Sequence, residues 1–89
     1  MKYQVQENCL TIFLPGELDH HNAEEVRVKI DDRIDRDSIK KLILNFKDVT
    51  FMDSSGIGAV VGRYKKITSK GGTLCVTEVN RGVYRVFKL

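Results

Sequence analysis

The chain has 89 residues, of which 42% are hydrophobic and 30% charged; that is enough for one core, too little for two, and too apolar for intrinsic disorder. Its longest apolar runs, Leu42-Ile43-Leu44 and Ile57 to Val61, fall far short of the ~20 residues of a membrane-spanning helix, and Met1-Lys2-Tyr3-Gln4-Val5 lacks a hydrophobic signal core. A soluble cytoplasmic domain with no membrane partner is expected, and a net charge of +3 is too small to demand nucleic acid.

Tyr3 to Gln6 reads as a short strand, joined through Glu7-Asn8 to a second strand, Cys9 to Leu14, in which Leu10, Ile12 and Leu14 alternate with Cys9, Thr11 and Phe13. Pro15-Gly16 stops it. From Asn22 to Arg36 the period becomes helical: Ala23, Val26, Ile30 and Ile34 form one stripe, and Glu25 with Lys29 and Asp32 with Arg36 are acid-first pairs four residues apart. His21 or Asn22 is the expected cap. Lys41 to Phe46 lacks alternation and reads as a central strand covered on both faces. A second helix runs from Ser55, with a stripe of Ile57, Val60, Val61, Tyr64 and Ile67, and closes at Gly71-Gly72. Thr73 to Thr77 is a last strand, and Asn80 caps a short helix carrying Val83, Val86 and Phe87. The order β-β-α-β-α-β-α predicts an α/β domain with a mixed sheet and helices packed on it.

Cys9 and Cys75 lie far apart inside strand-like runs, which predicts two buried reduced thiols with no disulfide and no metal site. Arg63, Lys65, Lys66, Lys70, Arg81, Arg85 and Lys88 crowd the last third; without an aromatic stacking motif they read as a solvated basic face and not as a nucleic-acid footprint.

Ligands of open α/β sheets gather at the carboxyl ends of strands. Two loops should meet there, Pro15 to His21 and Asp53-Ser54-Ser55-Gly56. The second has the residues of an ordinary helix cap. It also places a serine at a helix N-terminus, where an added phosphate meets free N–H groups and the positive dipole end. A serine hydrolase built from Asp19, His20, His21, Asp53 and Ser54 is disfavoured, because Met52 stands where a nucleophile elbow needs glycine. His20-His21 lacks a third metal ligand, and Gly71-Gly72 follows a helix where a phosphate loop would open one.

Gly16-Glu17-Leu18-Asp19-His20-His21-Asn22-Ala23-Glu24, then Leu44 through Gly58, then Gly62-Arg63-Tyr64-Lys65, resemble the anti-sigma factor antagonists, the bacterial half of the STAS (sulfate transporter and anti-sigma antagonist) family, over nearly the whole chain. The resemblance implies a partner-switching regulator of transcription at sporulation and not an enzyme, with no cofactor. Its unphosphorylated form would bind an anti-sigma factor that is also a serine kinase, freeing the sigma factor; phosphorylation would release it and a serine phosphatase would reset it. The phosphorylated serine falls on Ser54. Glu17, Asp19, His20, Asp53, Ser55, Gly56 and Ile57 fall, with Ser54, on the implied partner surface. Binding roles in a stress-signalling complex or a transporter are the implied alternatives. The family usually continues beyond Phe87-Lys88-Leu89 with a short strand and a helix, so a single domain, residues 1–89, shortened at its end is expected, with Val86, Phe87 and Leu89 incompletely covered and self-association as a consequence.

Overall fold

The computed structural model describes residues 1–88. Its elements are β1 (Lys2–Gln6), β2 (Cys9–Phe13), β3 (Glu17–Leu18), α1 (Ala23–Arg36), β4 (Lys41–Asn45), β5 (Phe51–Met52), α2 (Ser54–Ser69), β6 (Thr73–Thr77) and α3 (Arg81–Phe87). The fold is the small α/β domain with a mixed sheet and three helices that the element order predicts, in the arrangement the resemblance implies, with two short strands, β3 and β5, added to the expected order. A mixed sheet runs β1-β2-β4-β6, with β1 antiparallel to β2 and the other neighbours parallel, while β3 and β5 form a separate two-stranded parallel pair.

The register places Leu10 and Ile12 of β2 beside Leu42 and Leu44 of β4 and Leu74 and Val76 of β6 on one face. Val26, Ile30 and Ile34 of α1 and Val60 and Ile67 of α2 close over that face into a single core with Phe46, Val49 and Val83. Burying a Leu or Ile side chain stabilises by about 1.5–3 kcal/mol, so this face holds the helices at fixed angles to the strands. Both expected ion pairs form on α1, Lys29–Glu25 at 2.8 Å and Arg36–Asp32 at 3.1 Å.

Four expectations need correction. First, β4 is not covered on both faces: Cys9, Thr11, Phe13, Ile43 and Asn45, on the face away from the helices, are only half-buried. Second, the buried stripe of α2 is Gly56, Val60, Arg63 and Ile67, while Val61 and Tyr64 are 44% and 54% exposed. A charged residue occupies the position between Val60 and Ile67, so the apolar stripe, correct at Val60 and Ile67, took in Val61 and Tyr64 in place of Arg63. Third, the two cysteines are unbridged, yet Cys75 is exposed and Cys9 half-buried, because the alternation turns both toward the uncovered face. Fourth, Asn22 is the cap residue of α1 but its side chain makes no cap bond. Val86 and Phe87 are half-buried against the core, with Phe87 edge-on to Phe46 at 5.6 Å, and Leu89 lies outside the described residues.

Both long helices end the same way. Ile39 N–H donates to Ile34 O and Gly72 N–H to Ile67 O, each around a residue in the left-handed region, Ser38 at φ 52° and Gly71 at φ 78°.

Candidate functional site

The two loops meet because β3 and β5 pair in parallel, Glu17 opposite Phe51 and Leu18 opposite Met52. Leu18 and Met52 are buried, so each two-residue strand is pinned from the core side. Two residues are too few for a periodicity, and β3–β5 is the part of the site that sequence reasoning missed. From this pair the chain runs directly into the Asp19 loop on one side and into α2 on the other.

Asp53 joins the two. Its Oδ1 accepts from Ser55 N–H at 2.8 Å and Gly56 N–H at 3.2 Å, which makes it the N-cap of α2. Its Oδ2 accepts from His20 N–H at 3.1 Å and faces His20 Nδ1 at 3.1 Å. The Asp53 N–H donates to Leu18 O at 3.3 Å. Burial works to raise the Asp53 carboxyl, but hydrogen bonds from the His20 ring and backbone, Gly56 and Ser55 outweigh it and hold the group below the ordinary aspartate range.

The Asp19 loop is wound on itself. Asp19 is buried; its Oδ1 accepts from His21 N–H at 2.9 Å, and its carbonyl accepts from Asn22 and Ala23. Asn22 spends its side chain on the loop, accepting from Asp19 N–H at 3.0 Å and donating to Glu17 O at 2.7 Å, which is why it leaves the first turn of α1 uncapped. Burial again works to raise the Asp19 carboxyl, and the backbone and ring of His21, with Asn22 N–H, bring it below its usual value.

Ser54 is the first residue of α2 and is exposed; Ser55 and Ile57 are half-buried, Gly56 is buried, and Glu17 and His20 are exposed. A methyl at Gly56 would overlap the Leu18 carbonyl oxygen and the Met52 side chain. Asp19, 6% exposed, and Gly56 therefore shape the loop from inside. The expectation of free N–H groups at the start of α2 is corrected, since Asp53 already occupies those of Ser55 and Gly56. Among the described residues no hydrogen bond joins a histidine ring to Ser54 or Ser55, and no three His, Cys, Asp or Glu side chains group to hold a metal ion.

The whole chain, residues 1–89, matches the STAS domain. It belongs to the STAS family. An anti-sigma F factor antagonist of Paenibacillus polymyxa is 44% identical over 80 residues, 90% of this STAS domain and 68% of that protein. The solved structure of the unphosphorylated anti-sigma factor antagonist SpoIIAA superposes with a TM-score of 0.79 at 34% identity, covering 98% of this chain and 82% of that one. The phosphorylated form of the Bacillus cell fate determinant SpoIIAA gives a TM-score of 0.78 at 34% identity, with 98% and 81% covered. The domain thus shares its fold and sequence with regulatory proteins, and no helix of the described residues is long and apolar enough to cross a membrane.

On β5 and along α2 the STAS domain exposes apolar side chains that its sequence pattern assigned to the core or left unplaced. Phe51, 52% exposed, sits on β5 three residues before Ser54, and Val61 and Tyr64 follow along α2. The basic residues of the last third are not one solvated face. Arg63 is 6% exposed with Nε 2.8 Å from Asp31 Oδ1, and Lys66 and Lys70 both reach Asp35, at 3.1 and 3.4 Å.

Proposed function

We propose that this STAS domain is a cytoplasmic anti-sigma factor antagonist acting at sporulation. In its unphosphorylated form it binds an anti-sigma factor serine kinase, displaces the sigma factor, and is switched off when that kinase phosphorylates Ser54; a serine phosphatase resets it. The observation that carries this reading is the exposed Ser54 hydroxyl on a helix terminus immobilised by Asp53 and His20, beside exposed Phe51. Its similarity to proteins named anti-sigma factor antagonists supports it. The contact residues are Glu17, His20, Asp53, Ser54, Ser55 and Ile57, with Asp19 and Gly56 holding their backbone.

The switch is electrostatic. Phosphorylation adds about −1.5 to −2 charge at pH 7. The positive end of α2 favours an anion, but its N–H groups at Ser55 and Gly56 are held by the Asp53 carboxylate, so the phosphate stays on the surface next to a second negative group. An uncompensated charge pressed into an interface costs roughly 3–5 kcal/mol, which at about 1.4 kcal/mol per tenfold weakens binding by two to three and a half orders of magnitude. No change of fold is required.

The test is a kinase assay with the partner and ATP, with the phosphate located by mass spectrometry. Phosphate on Ser54, and none on Ser54→Ala, is the expected result, with Ser54→Ala still binding the partner. Phosphate on Ser55, or on the Ser54→Ala protein, would overturn the assignment. Ser54→Asp should bind more weakly than the parent by calorimetry, and equal affinity would count against the electrostatic account.

A further inference from the structure

His20 and His21 are held in more order than adjacent residues of a surface loop require. Their rings stand side by side, with centroids 4.0 Å apart and planes inclined by 36°. Each turns its Nδ1 onto a carboxylate: His20 faces Asp53 Oδ2 at 3.1 Å, and His21 faces Asp19 Oδ2 at 3.5 Å. Closing the loop does not call for the rings, because the backbone N–H groups of the same two histidines already donate to Asp53 and Asp19, at 3.1 and 2.9 Å. The carboxylates are fixed in turn, Asp53 by Ser55 and Gly56 N–H and Asp19 by its burial. A carboxylate on Nδ1 keeps the ring proton there and leaves the Nε2 lone pair free, which is the arrangement that orients histidines bound to a metal ion. It occurs here twice, on adjacent rings whose side chains are 68% and 76% exposed, and among the described residues no hydrogen bond reaches either Nε2.

The geometry points to the two Nε2 atoms as a binding site for one divalent transition-metal ion, Cu2+ most tightly and Ni2+ or Zn2+ less so. Two nitrogens at about 2.0–2.1 Å from one ion stand about 3–4 Å apart, which rings 4.0 Å apart reach by a small rotation of each. Asp19 and Asp53 place negative charge behind the rings. Arg27, which lines the adjoining groove with His20, is paired with Glu24 and Asp31 and does not oppose a cation. No third protein ligand joins the pair among the described residues, so water completes the coordination of a bound ion and the site is an open one. Imidazole suits Cu2+, Ni2+ and Zn2+, and Cu2+ leads in the general order of affinities. Mg2+ and Ca2+, which take oxygen ligands, are excluded. The site uses no property of Ser54, so it stands whether or not that serine is phosphorylated.

The experiment titrates the 89-residue chain, with Cys9→Ser and Cys75→Ser so that no thiol competes, with CuCl2, NiCl2 and ZnCl2 at about pH 7.5. Calorimetry and NMR of the histidine rings follow the binding. One ion per chain is expected, tightest for Cu2+, with Zn2+ shifting both rings and MgCl2 shifting neither. His20→Gln and His21→Gln should each weaken binding at least tenfold. Asp53→Asn keeps the cap of α2, since asparagine caps as well as aspartate, but removes the charge behind His20; it should weaken binding about tenfold or more. A chain that binds none of the three ions below about 1 mM overturns the inference. Binding that survives in the His20→Gln/His21→Gln double variant lies elsewhere on the chain and overturns it equally. Loss in both histidine variants with no loss in Asp53→Asn leaves two incidental exposed imidazoles, and that too overturns the built site. Circular dichroism identical to the parent separates loss of the ion from loss of fold.

Discussion

Two glycines two residues apart in α2, and so on opposite sides of the helix, should answer an added methyl with opposite signs. At Gly56 the new Cβ meets the Leu18 carbonyl oxygen and the Met52 side chain, whereas at Gly58 nothing lies within 4 Å. Replacing glycine by alanine inside a helix stabilises by about 1 kcal/mol when the methyl has room. Overpacking costs about 1–3 kcal/mol, and the upper part of that range applies at Gly56 because one obstacle is backbone held in the β3–β5 pair. Gly58→Ala should therefore gain about 1 kcal/mol, and Gly56→Ala should lose about 1–2 kcal/mol after its own propensity gain. For a domain of this length 1 kcal/mol moves Tm by roughly 4–8 °C, so the two variants should melt at least 8 °C apart, on either side of the parent. Calorimetry together with urea unfolding followed at 222 nm measures both. Gly56→Ala melting at or above Gly58→Ala would refute the close approach of α2 to β3, and with it the geometry that brings Ser54 to the Asp19 loop.

Ser38 holds the left-handed position that closes α1; a non-glycine residue costs about 1 kcal/mol there, partly offset by glycine's unfolded-state entropy, so Ser38→Gly should raise the urea-derived stability by about 0.5 kcal/mol, and a loss of that size would contradict the conformation. Arg63 is buried against Asp31, so Asp31→Asn, which strands the buried guanidinium, should cost about 2–3 kcal/mol, clearly more than Arg63→Met; urea midpoints in the reverse order would refute the burial of Arg63. Asp19, Asp53, Asp35, Glu24 and Glu25 all sit below their ordinary values of 3.8 and 4.5. The unfolded chain therefore takes up protons first as pH falls, so their stabilisation is complete above about pH 5 and is lost through pH 4.5 and below; a urea midpoint that rises between pH 5 and pH 3 would exclude it.

Most of the main sheet and the three helices were legible because their signals are local. Leu10 and Ile12 alternate, Val26, Ile30 and Ile34 recur at helical spacing, and Gly71 marks the end of α2 where only a left-handed residue fits. The same geometry at Ser38 left no mark, since serine carries no signature of that conformation. Ser54 could be placed at a helix terminus from Asp53 and Gly56 alone, but its immobilisation could not. That depends on His20 reaching Asp53 across 33 positions of sequence and on two strands of two residues each.

The sequence by itself determined the order of the four main strands and three helices, the face of α1 that is buried and the presence of a serine at the start of α2, because helix and strand periods are written in neighbouring residues. Tertiary structure alone decided that Arg63 is buried and Val61 exposed, that Asp19 turns inward, and that Cys75 is exposed. Each of these is set by which surfaces meet across the fold. A side chain's burial and a backbone group's partner are properties of contacts between distant segments, and no spacing along the chain records them.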